Sequence, residues 1–175
     1  LCEADGDAPC GECQGCRLMA AGTHPDFRRI SLEEDSREIR IHQIRDLTQF
    51  LTLSAQYGRA KVAVIDPAEC MNRNAANSLL KTLEEPSAGS CLILVTSRPS
   101  QLPATVRSRT QVIPFALPAR DQALSWLNER VSVSDPEHLL SLAEFAPLEA
   151  VSISEPELLE RRNELLEQIG SLFQD

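Results

Sequence analysis

The chain has 175 residues, enough for one substantial core, or for one domain with a smaller one beside it. Its 26 acidic residues outnumber its 17 lysines and arginines, and the formal net charge of −9 argues against a broad phosphate-binding surface. Five phenylalanines, one tyrosine and one tryptophan are too few for a platform on which single-stranded bases stack. Since no apolar run approaches the ~20 residues that span a bilayer, we expect a soluble protein without membrane contact.

Four of the six cysteines are grouped near the start of the chain, as Cys2, Cys10, Cys13 and Cys16. The two short spacings let a turn present successive sulfurs to one ion, and Zn²⁺ prefers thiolate ligands. Because the cluster contains no histidine and no carboxylate reserved for an open position, it favours a structural zinc over a catalytic one. Disulfides and an iron–sulfur cluster are the alternatives. Cys70 and Cys91 lie in apolar stretches and are predicted to be core thiols.

The next part of the chain is predicted to begin an alternation of helices and strands. Residues 17–21 form a short helical turn, and residues 27–32 alternate enough to be a strand. From residue 41 to about residue 57, apolar residues recur at the spacing of one helix face. Residues 61–65 are a continuous apolar run, typical of a strand that is buried on both faces of a parallel sheet.

The following elements continue this alternation. Residues 74–85 have high helix propensity, and Pro86 supplies a stop. Residues 91–95 are predicted to be a second buried strand and residues 103–107 a helical turn. Residues 111–115 are predicted to be a third strand, at a sheet edge because its proline cannot donate to the ladder. Strands that alternate with helices in this way indicate a doubly wound α/β layer.

The composition changes at residues 116–118, a linker that contains proline. Beyond it the sequence shows helical patterns over residues 120–130, 136–145 and 156–172. A loop is predicted at residues 146–147. We therefore expect an α/β domain over residues 1–117, whose cysteine module spans residues 1–22, followed by a small all-helical domain over residues 118–175.

Four ordered motifs run from residue 62 to residue 109: Val62-Ala-Val-Ile-Asp66, residues 74–86 with their Leu-Leu-Lys-Thr-Leu-Glu-Glu-Pro ending, Leu94-Val-Thr-Ser97 and Thr105-Val-Arg-Ser-Arg109. Together they resemble the clamp-loader branch of the AAA+ family. The phrases Cys10-Gly-Glu-Cys-Gln-Gly-Cys16 and Gly22-Thr-His-Pro-Asp26 resemble the zinc module found there and its exit. The resemblance covers nearly the whole chain and weakens after residue 116. It implies an AAA+-type parallel sheet with flanking helices and an inserted zinc module, then a helical lid domain.

The resemblance also implies a degenerate nucleotide site. Asp66 stands where the family holds Mg²⁺, and Thr96 or Ser97 matches a polar sensor. Pro67 replaces the glutamate that orients water in a motor subunit, so the general-base role has no occupant. The sequence contains no Gly-x4-Gly-Lys-Ser/Thr loop and begins without methionine, so we expect the position of that loop to precede residue 1. The segment 146–149 offers no cation where motor subunits carry an arginine for ATP phosphates.

Arg109 is the residue to which the resemblance assigns a direct role. Ser108-Arg109-Thr110 resembles the Ser-Arg-Cys motif of the family, which lies at a subunit border. There the guanidinium reaches the γ-phosphate of ATP on the neighbouring subunit. From spacing alone, such an arginine is more often a solvated surface charge. Lys81, Glu84 and Glu85 are expected to form intersubunit or intrahelical pairs and to carry no chemistry.

These features imply a clamp-loader subunit of the bacterial DNA polymerase III holoenzyme, not catalytic by itself, that lends Arg109 to ATP bound at the interface with its neighbour. Its partners would be motor subunits of the gamma/tau type and the delta subunit, with the sliding clamp and primed DNA reached through the assembly in the cytoplasm. An active gamma/tau-like motor ATPase and a zinc-module nucleic-acid binder are the alternatives. Pro67 speaks against the first, and the acidic residues around the cysteines speak against the second.

Overall fold

The structure, a computed structural model, describes residues 1–4, 6, 9–57, 60–133 and 135–154. The chain divides into two compact units, Leu1–Val112 and Ile113–Asp175. We call the first the sheet unit and the second the helical unit. The helix predicted over residues 156–172 lies outside the described residues.

The sheet unit alternates helices with parallel strands. Its elements are α1 (Gln14–Ala20), β1 (Phe27–Ile30), α2 (Ile41–Thr52), β2 (Lys61–Ile65), a 3₁₀ turn (Ala68–Cys70), α3 (Arg73–Glu84), β3 (Ser90–Leu94), a second 3₁₀ turn (Pro99–Gln101) and α4 (Ala104–Arg107). The strands pair in parallel in the order β1-β2-β3. The predicted α/β architecture with a parallel sheet is therefore confirmed.

One face of this sheet packs on the core. From β2, Ala63 and Ile65 are fully buried, and α2 and α3 cover them with apolar side chains that include Ile44, Leu47 and Leu79. On the opposite face Val62 is half-buried and the β3 side chains are exposed at alternate positions. The prediction that both faces are buried was thus wrong for the second face. The predicted core position of Cys91 was wrong as well, because this side chain is exposed on that face.

A buried acid–base pair explains why α2 ends before residue 57. The carboxylate of Asp26 accepts hydrogen bonds from the backbone amides of Gln56, at 2.8 and 3.0 Å, and of Tyr57, at 2.8 Å. It also accepts one from Lys61 Nζ, at 3.1 Å. These amides turn inward to the carboxylate, so the chain leaves the helix at Thr52.

Residues 111–119 carry no regular secondary structure, so the predicted strand over residues 111–115 was wrong. A strand is formed by hydrogen bonds to a neighbouring strand, and an apolar composition does not provide that neighbour. The side chains of Val112, Ile113 and Phe115 are 70%, 69% and 95% exposed. Pro114 removes one of the donors that a ladder would use.

The helical unit contains three short helices in its described part, α5 (Arg120–Asn128), α6 (Pro136–Leu142) and α7 (Pro147–Ile153), around buried Ala123, Leu127, Leu139, Leu140, Ala143 and Ala150. α6 ends before residue 145 because Glu144 and Phe145 adopt left-handed backbone angles. The loop predicted at residues 146–147 is instead the start of α7, with Pro147 in the first turn, where proline costs no hydrogen bond. Across the described residues, no helix has the length and apolar character needed to cross a membrane.

Candidate functional site

The four clustered cysteines bring their sulfurs together. All four Sγ atoms lie within 4.8 Å of one another. The separation is 3.9 Å between Cys10 and Cys16 and 4.0 Å between Cys2 and Cys13. A tetrahedral shell with Zn–S bonds of about 2.3 Å places its sulfurs about 3.8 Å apart. The predicted ligand set therefore forms a cluster whose dimensions suit one tetrahedrally bound ion, and none of the four residues is in a disulfide.

Backbone amides point at these sulfurs and favour the thiolate form. The amides of Cys10, Cys13 and Cys16 donate to the sulfurs of Cys2, Cys10 and Cys13, at 3.5, 3.4 and 3.4 Å. The amides of Cys10 and Cys13 lower the pKa of Cys2 and Cys10, and those of Glu3 and Cys16 lower the pKa of Cys13. Three of the four thiols are thus prepared to act as ligands, since a metal binds the thiolate.

Two glycines allow the backbone to close around the cluster. Gly11 has a φ of 76°, and its backbone hydrogen bond lowers the pKa of Cys16. Desolvation and the contacts with the other three thiols outweigh this effect and raise the Cys16 pKa to about 11. At Gly15, a Cβ atom would lie 2.3 Å from the carbonyl oxygen of Leu1. No larger side chain fits this approach, so the N-terminal backbone is closely packed against the start of α1.

The carboxyl ends of β2 and β3 lie side by side, because Ile65 and Leu94 are register partners. This brings the predicted Asp66 and Thr96 to the same edge of the sheet. Asp66 forms an ion pair with Arg29: its Oδ2 accepts a hydrogen bond from Arg29 Nη2 at 2.6 Å. Arg29 comes from β1, the neighbouring strand, and sequence reasoning missed it because the pairing depends on strand register.

The hydroxyls at this edge have partners as well. Thr96 Oγ1 accepts a hydrogen bond from the Arg98 amide at 3.0 Å, and Ser97 Oγ donates one to Glu69 Oε1 at 3.0 Å. Burial raises the pKa of Glu69, but hydrogen bonds from Thr96 and Ser97 outweigh it and hold the pKa below its ordinary value. Glu69 is a second residue of this edge that the sequence analysis missed. The one feature that could have pointed to it is its position, three residues after Asp66.

Arg109 lies two residues after the end of α4 and pairs with the last residue of α3. Its Nη2 lies 2.6 Å and its Nε 2.8 Å from Glu84 Oε1. Its Nη1 donates to the carbonyl oxygen of Thr105 at 3.0 Å and to Ser108 Oγ at 3.3 Å. The expectation of intrahelical pairing was therefore wrong for Glu84, because its partner follows another helix of the same unit. Pairing across subunits stays a prediction. Ser108 contributes an acceptor that helps to hold the guanidinium.

The core fixes the backbone on both sides of this ion pair. Val106 of α4 and Leu79 of α3 are fully buried in the same cluster, and Leu102 just before α4 is 7% exposed. α4 has a single turn, so its position depends on these apolar contacts more than on its own hydrogen bonds. Arg109 is thus presented at the surface from a rigid support.

Comparison with known proteins shows which family this chain belongs to. A family model described as DNA polymerase III, delta subunit, matches residues 1–119. The chain belongs to this family. It is 41% identical to the DNA polymerase III subunit delta' of Pseudomonas aeruginosa, a match that covers 99% of this chain and 54% of the relative. The resemblance to clamp-loader proteins that the motifs suggested is therefore confirmed.

Other relatives of this DNA polymerase III family agree. The subunit delta' of Haemophilus influenzae is 36% identical over 99% of this chain and 53% of its own length. That of Escherichia coli K12 is 39% identical over 81% of this chain and 43% of its own. A crystal structure of a DNA polymerase III gamma subunit-related protein from Thermotoga maritima matches with a TM-score of 0.58 and 27% identity, over 81% of this chain and 47% of that one. The chain spans about half the length of the curated relatives that it matches.

Proposed function

We propose that this protein is a clamp-loader subunit that does not hydrolyse ATP and that supplies Arg109 in trans to ATP on a neighbouring motor subunit of the gamma/tau type. The observation that carries the proposal is the presentation of Arg109: an arginine two residues after a one-turn helix that the core holds in place, with a side chain that is 36% exposed. A fork of fixed N–H donors suits the oxygens of a transferring phosphoryl group.

The edge of the sheet at the carboxyl ends of β2 and β3, which we call the strand-end edge, supports the proposal that this subunit does not hydrolyse ATP. Asp66, which would hold Mg²⁺ in a motor subunit, is engaged by the Arg29 guanidinium. Pro67 leaves the next position without a carboxylate that could orient water. Thr96 and Ser97 serve local hydrogen bonds at this edge. A weak cofactor-binding role for Asp66 and Thr96 would require the Arg29 contact to open first.

We also propose that Cys2, Cys10, Cys13 and Cys16 hold one structural Zn²⁺. A bound ion would cross-link the N-terminal segment to α1 through its thiolate ligands. Metal sites of this kind contribute to the free energy of folding. The acceptors are the thiolates that backbone amides already stabilise. We expect about one zinc per purified chain and a loss of both metal and thermal stability in Cys10→Ser. Cys91→Ser is the matched control, since that thiol is exposed and lies outside the cluster.

The proposed assembly sets the remaining expectations. The partners are motor subunits and a delta subunit, and through them the sliding clamp and primed DNA, in the cytoplasm. ATP is bound at the interface with the neighbour. Within this subunit, an α/β domain over residues 1–117 carries both the zinc module and Arg109, and a helical lid domain follows over residues 118–175.

The test is ATP hydrolysis by the reconstituted clamp loader, stimulated by sliding clamp and primed DNA. With Arg109→Ala the rate should fall by about two orders of magnitude or more, as for other trans-acting arginines. Arg107→Ala is the matched control, because it removes an exposed arginine two residues earlier, at the end of α4. Wild-type rates with Arg109→Ala would reject the trans role and leave the subunit as a scaffold, provided that the variant enters the assembly normally.

A further inference from the structure

The Arg109 guanidinium is folded back and restrained at all three nitrogens. Nε and Nη2 share Glu84 Oε1, while Nη1 contacts Thr105 O and Ser108 Oγ. Thr105 lies four residues earlier, in α4, so the Arg109 side chain turns back along that helix. In this position the edge of the guanidinium that could bind a second anion is already taken by Glu84.

The carboxylate also changes the charge that Arg109 presents. A trans-acting arginine works by placing positive charge against phosphoryl oxygens. Glu84 lies 2.6 Å from Nη2 and compensates that charge, and its own negative charge would repel a triphosphate. Arg109 therefore cannot deliver its full effect while it holds Glu84.

We propose that Glu84 is a positioning residue that holds Arg109 in reserve, and that Arg109 exchanges this carboxylate for phosphate oxygens of a nucleoside triphosphate on the neighbouring subunit. The inference rests on the proposed function of Arg109. The exchange replaces one oxyanion by another at the same guanidinium, so the number of charge-assisted hydrogen bonds can be kept.

The exposure of the pair makes the exchange easy. Arg109 and Glu84 are 36% and 50% exposed, and the two chain segments that carry them are fixed by the core. Exposed ion pairs of this kind shift an equilibrium by about fivefold at most. Only the side chain of Arg109 needs to rotate, because α4 remains anchored through Val106. Glu84 thus makes the free energy of nucleotide binding slightly less favourable, by a measurable amount, because its ion pair with Arg109 must open first.

This unfavourable contribution determines the sign of the expected effect. The apparent affinity for a ligand is reduced by the fraction of protein that is not competent to bind it. Removing the Glu84 charge raises the fraction of Arg109 that is ready for phosphate. We therefore expect Glu84→Gln, which keeps the size of the side chain and one acceptor oxygen, to tighten binding of triphosphate by the assembly about two- to fivefold.

The experiment measures the apparent Kd of the reconstituted assembly for a slowly hydrolysed, fluorescent ATP analogue. Four versions of the subunit are compared: wild type, Glu84→Gln, Arg109→Ala and the double variant. Glu85→Gln is the matched control, since it removes the adjacent exposed carboxylate. Glu84→Gln should tighten binding, Glu85→Gln should leave it unchanged, and Glu84→Gln should have no effect once Arg109 is absent. Thermal melting checks that every variant is folded.

The outcomes separate this inference from the proposed function. If Arg109→Ala lowers the ATPase rate but Glu84→Gln leaves the apparent Kd unchanged or weakens it, the exchange is wrong and the trans role of Arg109 stands. If the shift persists in the Arg109→Ala background, Glu84 acts on the nucleotide by another route and the exchange is also wrong. If Arg109→Ala has wild-type activity, the proposed function fails and the exchange fails with it.

Discussion

Two acid–base pairs of the sheet unit join residues that are far apart in sequence, and they differ chiefly in their surroundings. Lys61 Nζ lies 3.1 Å from Asp26 Oδ1, and these side chains are 4% and 0% exposed. Arg109 Nη2 lies 2.6 Å from Glu84 Oε1, and these side chains are 36% and 50% exposed. Short distances are common to both pairs, so distance does not distinguish a structural pair from one that can open.

The partners of each carboxylate explain the difference. Asp26 also accepts hydrogen bonds from two backbone amides, and Lys61 Nζ lies 4.2 Å from the centre of the Phe50 ring. Opening this pair would leave charges in a place that water does not reach, which is costly. Glu84 and Arg109 can each turn to water at little cost. Burial therefore makes the first pair part of the fold and leaves the second available for exchange.

The largest expected effect comes from breaking the buried pair. Asp26→Ala should lower the free energy of unfolding by about 3–5 kcal/mol, because Lys61 loses the carboxylate that balances its charge in the core. Urea denaturation measures the change. Asp46→Ala, which removes an exposed acid on α2, serves as the control and should have little effect. A loss below 1 kcal/mol for Asp26→Ala would show that the Asp26–Lys61 pair is not needed for the stability of the fold.

The exposed pair should behave differently in the same measurement. Glu84→Ala should lower the free energy of unfolding by about 0.2–1 kcal/mol, since both partners become hydrated. The effect should shrink further at high salt, because screening weakens exposed pairs much more than buried ones. If Glu84→Ala proved as destabilising as Asp26→Ala, Arg109 would be a structural residue and could not leave its partner readily.

The sequence predicts some of these features and not others, for a consistent reason. The β-branched run at Lys61–Ile65 and the helix at Arg73–Glu84 follow from local composition, and the structure has both. The cysteines are close in sequence, so their spacing predicts that the sulfurs converge. The Glu84–Arg109 contact joins the end of α3 to the segment that follows α4. It depends on packing between two helices, which no local pattern encodes.

The errors have the same origin. Residues 111–115 are mostly apolar, as in a strand, but a strand needs hydrogen bonds to a neighbouring strand that its own residues cannot specify. Pro147 looks like a helix breaker, yet at a first turn it is favourable. The Arg29–Asp66 contact at the strand-end edge depends on register, which the sequence leaves open. Local patterns therefore predict the elements, and tertiary contacts decide which polar groups meet.

A third pair at the strand-end edge sharpens the comparison. Arg29 and Asp66 are 60% and 30% exposed and share a single contact at 2.6 Å. We expect Arg29→Ala to lower the free energy of unfolding by about 0.2 kcal/mol, at the low end of the range expected for Glu84→Ala, because one partner is largely hydrated and the contact is not bidentate. Arg37→Ala, at an exposed loop position, is the control. A cost near that of Asp26→Ala would mean that this edge is shielded from water.

The smallest effect concerns Glu69, whose partners are hydroxyls. Hydrogen bonds from Thr96 and Ser97 hold the pKa of Glu69 below its ordinary value in the folded protein. The folded state then binds this proton less readily than the unfolded state, so the ionised group stabilises the fold above the ordinary glutamate pKa. That contribution should disappear as the pH falls through the lowered folded-state pKa. Between pH 5.5 and pH 3, stability should therefore fall slightly less in Glu69→Gln than in wild type, as measured by urea denaturation at each pH. An identical pH dependence would show that the hydroxyls do not favour the carboxylate. It would also show that, at this edge, a partner without formal charge is too weak to couple folding to protonation.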